Sequence, residues 1–322
     1  MPRPPRGTRS SPGGRADSPR GPSDGQNRLV NIGFVVTTLG RLEPLRALLT
    51  SLEAQLRDGD HVVLVAQGAQ DAVAELAREF AARGVAVTAT VSERGASLGR
   101  NTGVAALPAG EAVVTFPNDN TTYPAGTVEA LHAAVDDQAF RAGGFTSWDE
   151  RGPKTTLPAP GTPLDKYNVW AVIEMGILMR RSLFDAVGGF SEAMGPGSAT
   201  PWQVAEGTDL LLRAMAYEPS LERSFRWLPA HVHVDGISTG FGLTTAERRR
   251  KLRAYGRGTG RAFATHGYPL WWRAAFTGAG LLYGVRNPRP ITVLDGWPMF
   301  LGRLEGALGR TFGQARMVST TR

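Results

Sequence analysis

Four short apolar runs separated by segments of helical period leave this chain few ways to fold. Leu29–Thr37 (LVNIGFVVT), His61–Ala66 (HVVLVA), Val85–Val91 and Ala112–Phe116 (AVVTF) each have the length and β-branched texture of a buried strand. Between the first two, Leu45, Leu48, Leu49, Leu52 and Leu56 recur at helical spacing, with Pro44 placed to start the helix. Val73, Leu76, Ala77 and Phe80 repeat the pattern between the second and third. Strands that are apolar throughout must be covered on both faces. The alternation therefore predicts an α/β fold with a mostly parallel sheet between two layers of helix. Ligands of such sheets lie beyond the carboxyl ends of the strands, so the loops there are where chemistry is sought.

With 42% hydrophobic residues in 322, the chain can bury a core, which excludes general disorder. Residues 1–27 are the exception. They hold six Pro, five Gly, four Ser and five Arg, and are read as a disordered basic tail. Residues 28–240 are assigned to the nucleotide-binding domain and 241–322 to a basic, aromatic, helical extension. No cysteine is present, which removes disulfides, thiolate metal sites and cysteine nucleophiles. No apolar run reaches the roughly 18 residues of a membrane span, since Arg273 and several glycines break Leu270–Val285. The start of the sequence lacks the apolar stretch of a secretory signal, so a cytoplasmic location is expected. The net charge of +7 includes the run ERRRKLRAYGRGTGR at 247–261, which suits an anionic partner.

Three loops could carry chemistry. Phe116–Pro124 (FPNDNTTYP) follows an apolar strand, and Asp119 between Asn118 and Asn120 offers hard oxygen ligands to a divalent cation. A plain polar turn is the simpler account of those residue types. Arg94–Gly103 (RGASLGRNTG) puts glycines, Arg100 and Asn101 at a strand-to-helix junction, where free N–H groups attract anions. It matches neither the dinucleotide nor the P-loop fingerprint. The third runs from Gly195 past Trp202 to Glu206 and Asp209. A carboxylate just ahead of the helix expected over 208–217 can act as general base, although Asp209 is equally explained by an i,i+4 pair with Arg213. His231 and His233 would share a face of a strand and could add metal ligands.

Taken in order, these segments resemble family 2 glycosyltransferases of GT-A fold, over about Val30 to Tyr268. The resemblance implies transfer of a sugar, with inversion, from a nucleotide sugar to a hydroxyl of a glycan or lipid-linked acceptor. It places Thr37, Thr38, Gln67, Arg100, Asn101 and Asn118 at the nucleotide sugar. It puts Asp119 and Asn120 at a divalent cation (Mn²⁺ or Mg²⁺), to which His233, or His231 on the same face, could add a ligand, and Glu206, or else Asp209, as the base. Trp202 could stack on a sugar face of the acceptor, or equally be a buried loop tryptophan. The sequence departs from the family at Asn118, Asn120, Gly207 and either Ala66 or Gln67, where aspartates are usual. A cation is therefore expected to bind weakly, or only with the donor diphosphate. The competing expectation is that Arg100 or another basic residue neutralises the leaving group.

Two other classes stand beside this one. A degenerate relative would bind a nucleotide sugar or a partner enzyme without turnover. A nucleic-acid binder would use Arg248–Arg253 but has no recognised motif. The region 247–302 is expected to meet an anionic membrane surface through those arginines and Trp271, Trp272, Phe276, Trp297 and Phe300. Equally, these aromatics could complete the core of the helical extension.

Overall fold

The apolar runs pair into one seven-stranded sheet in a computed structural model that describes residues 29–236, 243–287 and 291–313. The tail assigned to 1–27 and the boundary set at 240/241 lie outside the described residues. The first half runs β1 (Ile32–Thr38), α1 (Leu42–Glu53), β2 (His61–Ala66), α2 (Gln70–Ala82), β3 (Val87–Val91), α3 (Ala96–Ala105) and β4 (Val113–Thr115). After β5 (Thr121–Thr122), α4 (Thr127–Val135) and β6 (Ala142–Gly144) come β7 (Thr146–Asp149), β8 (Gly152–Pro153) and β9 (Ile177–Arg180). Next are α5 (Arg181–Ala186), α6 (Glu206–Tyr217), α7 (Leu221–Ser224), β10 (Arg226–Trp227) and β11 (His233–Gly236). The chain closes with α8 (Thr245–Thr265), α9 (Leu270–Gly278), α10 (Tyr283–Arg286) and α11 (Gly296–Leu308).

The strand order is β10-β6-β9-β4-β1-β2-β3, and only β9 runs antiparallel to its neighbours. Alternation within β1 sends Phe34 and Val36 to a core layer with Leu45, Leu48, Leu49 and Leu52 of α1 and Phe80 of α2. Val35 points the other way, toward Val104 of α3 and Leu210 and Leu211 of α6. Thr38 pairs with Ala66, and Ala66 with Val91, so the first three strands end level. That register gathers their following loops on one edge of the sheet.

The segment 145–163 contains β7 and β8. They join β5 and β11 in a second sheet of order β5-β11-β7-β8. These strands are two to four residues long and carry Thr, Ser, Asp and Gly, so no periodicity could signal them.

The basic run is the body of α8, which starts in a capping box between Thr244 and Glu247. Four of its seven Lys and Arg side chains turn toward buried acids. Arg248 and Arg249 pair with Asp295 at 3.0 and 2.9 Å, and Arg253 and Arg257 with Glu305; both acids are buried. Of the cations expected to face lipid or nucleic acid, Arg248, Arg249 and Arg253 are thus held by α11 and the turn before it, while Arg250 is exposed. The two helices approach backbone to backbone. A Cβ on Gly256 would lie 2.7 Å from Met299 O, and one on Gly302 only 2.1 Å from Arg253 O. The aromatics divide: Trp272 and Phe276 pack on the second core layer beside Phe263 and Tyr268, while Trp271 and Trp297 are 65% and 57% exposed. No helix among the described residues is long and apolar enough to cross a membrane.

Candidate active site

Two ion pairs meet at the carboxyl edge of the sheet, at residues 118 and 119. Asn118 continues β4 by bridging to Thr37 of β1, which brings Asp119 beside the end of β1. Asp119 is buried there. Its Oδ2 accepts from Thr38 Oγ1 at 2.7 Å and from Arg41 Nε at 3.2 Å, and its Oδ1 accepts from Arg41 Nη2. Thr38 Oγ1 also accepts from the N–H of Gly40, which braces the loop that carries Arg41.

Arg100 anchors the second pair. It lies on α3, and Gly99 lets this helix sit tight on the strand ends: a Cβ there would be 2.6 Å from Thr37 Cγ2 and 2.8 Å from Gln67 Nε2. Arg100 is buried, donates to Glu206 Oε1 at 2.9 Å and reaches Asn118 Oδ1 at 3.5 Å, with Glu174 at 3.8 Å. Glu206 is the first residue of α6 rather than a turn ahead of it, and follows Ala205 in a left-handed conformation (φ 76°). Burial pushes the Glu206 carboxyl above its ordinary value, and the neighbouring Glu174 charge adds to this, while Arg100 pulls it back. A carboxyl with raised affinity for a proton, one hydrogen bond from a fixed cation, is suited to accept a proton from a hydroxyl.

The remaining expected site residues do other things as well. Gln67 Nε2 donates to Ser92 Oγ and to the carbonyls of Glu93 and Gly95, tying the loop after β3 to the end of β2. Asn101 Oδ1 accepts from the Phe190 N–H and its Nδ2 donates to the Phe190 carbonyl, both at 2.9 Å, fixing the following glycine-rich loop. That loop returns over α3, where the Ala96 N–H donates to Pro196 O. Asp209 has both oxygens engaged, by Arg213 at 2.9 Å and His266 at 2.8 Å. Burial raises its carboxyl, but those two partners outweigh it and the net shift is downward. Trp202 packs on Met194, Ala205 and Ala262, with Arg261 over its ring.

The metal expectation fits poorly. Asn120 sits in the turn before β5, and no group of three or more His, Asp or Glu gathers among the described residues. His231 precedes β11 instead of lying in it, and the His233 ring stacks on Trp148 at 4.4 Å with Asp235 at 3.4 Å. The donor set at the cluster is one carboxylate already holding a guanidinium. Arg41, Glu174 and His266 were missed from the sequence. Arg41 had a readable signal, a basic residue in the first strand-end loop, whereas Glu174 and His266 are brought in only by tertiary packing.

The comparisons agree with this architecture. The model of the family described as "Glycosyl transferase family 2" matches residues 34–188. No curated protein matches the chain. Among solved structures, residues 1–349 of S. aureus TarS align at 14% identity and TM-score 0.53, covering 87% of this chain and 92% of that one. The same fragment in complex with UDP-GlcNAc gives 14% and 0.54, covering 87% and 93%. Mannosyltransferase PcManGT from Pyrobaculum calidifontis, in complex with GDP-Man and Mn²⁺, gives 16% and 0.52, covering 86% and 87%. At these identities the likeness establishes a shared GT-A fold.

Proposed function

Residues 34–188 belong to glycosyl transferase family 2, and from that premise we propose that the protein transfers a sugar from a nucleotide sugar to a hydroxyl of a glycan or lipid-linked acceptor, with inversion. The observation that carries the reading is the buried Arg100–Glu206 pair beside the Asn118–Asp119 turn. Inversion needs a base on the side opposite the leaving group, and Glu206 is that base. Asp209, with both oxygens taken, anchors α6 to α8. Thr37, Thr38, Gln67, Asn101 and Asn118 shape the donor side, and Trp202 borders the acceptor side. Of the two ways to balance the diphosphate charge, the occupied Asp119 favours a guanidinium over a divalent cation.

The nucleotide-sugar complexes of the structural neighbours support the donor class. The experiment is a thermal-shift panel of nucleoside diphosphates and nucleotide sugars, since a ligand at 100 times its Kd stabilises by about 2.7 kcal/mol. A stabilising donor that is then consumed with an acceptor supports the reading. Binding without turnover would favour the degenerate relative, and silence across the panel would oppose both.

Peripheral membrane attachment belongs to the same proposal, through a surface different from the arginine run. Leu270, Trp271, Leu282, Val285, Leu294 and Trp297 are exposed along α9, α10 and the start of α11. Asp295, the one acid between 270 and 300, is buried against Arg248 and Arg249, so no exposed acid among the described residues of this stretch repels an anionic leaflet.

A further inference from the structure

A family 2 donor site implies a divalent cation beside the diphosphate, and the residues at that place do not fit one. Both oxygens of the cluster's single carboxylate are taken by Thr38 and Arg41, and Asn118 Oδ1 lies against Arg100. A hard cation would have to displace a hydrogen-bonded guanidinium to reach Asp119. We infer that Arg41 stands in the place of the cation and that this site neutralises the donor diphosphate without a metal.

The placement of Arg41 supports the role. It follows β1 by three residues and precedes α1, at the strand end where ligands of such sheets bind. Its side chain is 45% exposed while that of Asp119 is 5% exposed, so the pair has a buried half and an open half. Nε and Nη2 are held by Asp119, and Nη1 has no partner among the described residues. Gly40 (φ 96°) keeps the loop against the residues that lead into α2, where a Cβ would meet Ala69 Cβ at 2.4 Å. The guanidinium is thus oriented before any ligand arrives, the condition under which a charged donor helps most. Arg100, the other cation at this edge considered from the sequence, is buried and committed to Glu206.

The step rests on the proposed transfer reaction. The bond from the anomeric carbon to the β-phosphate oxygen breaks and its electron pair stays on that oxygen, which accepts from Arg41. The acceptor oxygen bonds to the anomeric carbon, and its proton passes to the Glu206 carboxylate.

The test is calorimetric titration of the full-length chain with uridine and guanosine diphosphates and their sugar conjugates, in EDTA and in Mn²⁺. The wild type is expected to bind its preferred nucleotide within about threefold of the same Kd in both. Arg41→Gln should weaken that binding about 10- to 100-fold, the scale of a charge-assisted hydrogen bond, and Arg41→Lys by less. The thermal midpoint of each variant, read without ligand, shows that it folds. Binding that needs Mn²⁺, or that ignores Arg41→Gln, overturns the inference while leaving the transferase reading intact. Binding of no nucleotide in either buffer overturns both.

Discussion

Arg100 Nη1 donates to Glu206 Oε1 at 2.9 Å, and both side chains are buried between α3 and α6. A buried carboxyl without that cation would favour its neutral form more strongly, because Glu174 adds a second negative charge nearby. The pair therefore keeps Glu206 available as a base while leaving its proton affinity above the ordinary carboxylate range.

A pH profile follows. The base works when ionised, so turnover should fall as pH falls through the raised Glu206 value, and the acid limb should lie above that of an ordinary glutamate. Arg100→Met removes the lowering influence and should move the limb to still higher pH. It also leaves a buried charge unpaired, at a stability cost of roughly 3–5 kcal/mol. Rate against pH for the two proteins, compared below their unfolding temperatures, checks the direction; an unmoved limb would detach Glu206 from catalysis.

Asp295 joins the C-terminal helices and sets an acid-side stability. Burial raises its carboxyl, but the Thr292 N–H, Arg249 and Arg248 outweigh this and bring it from 3.8 to about 2. A depressed folded value contributes stability that is complete above 3.8 and disappears as pH falls through about 2. Asp295→Asn should therefore cost up to about 2 kcal/mol near neutrality, with the gap to wild type closing between pH 4 and 2. Denaturant midpoints across that range measure it.

The α8–α11 seam depends on absent side chains. Gly302→Val places a Cβ at 2.1 Å from Arg253 O, so a helix must move, and a loss of roughly 1–3 kcal/mol is expected. Gly278→Ala, with nothing within 4 Å of its Cβ, should be neutral or slightly stabilising. Equal effects of the two substitutions would contradict the close packing.

Vesicle cosedimentation tests the apolar face. The protein should bind anionic liposomes, and Trp271→Ser with Trp297→Ser should reduce binding several-fold at unchanged secondary structure. Indifference of the wild type to liposomes, with concentration-dependent dimerisation, would assign the face to a second copy of the chain.

Within the central sheet β1, β2 and β4 were legible because they are buried on both faces and so carry uninterrupted apolar runs, whereas the edge strand β3 is largely exposed; His61–Ala66 was read to the residue. The second sheet was not, since Thr146–Asp149 gains its partners from distant β11 and β5 and has no local pattern of its own. At the site, the sequence order led to Arg100, Asp119 and Glu206. It could not show that Arg100 would be paired with Glu206, nor that Arg41 would cap Asp119, because both contacts join residues at least 78 positions apart. The pairing of Arg248, Arg249, Arg253 and Arg257 was hidden for the same reason: Asp295 and Glu305 lie more than 40 residues downstream.

The most direct measurement is turnover by Glu206→Gln with a donor found in the thermal-shift panel. The amide keeps the shape of the side chain and the hydrogen bond from Arg100 but cannot take a proton. The account predicts a fall in kcat of about 10²–10⁴ with donor affinity within about threefold of wild type. Unchanged kcat would contradict it and return the role of base to another group, with Asp209 first in line.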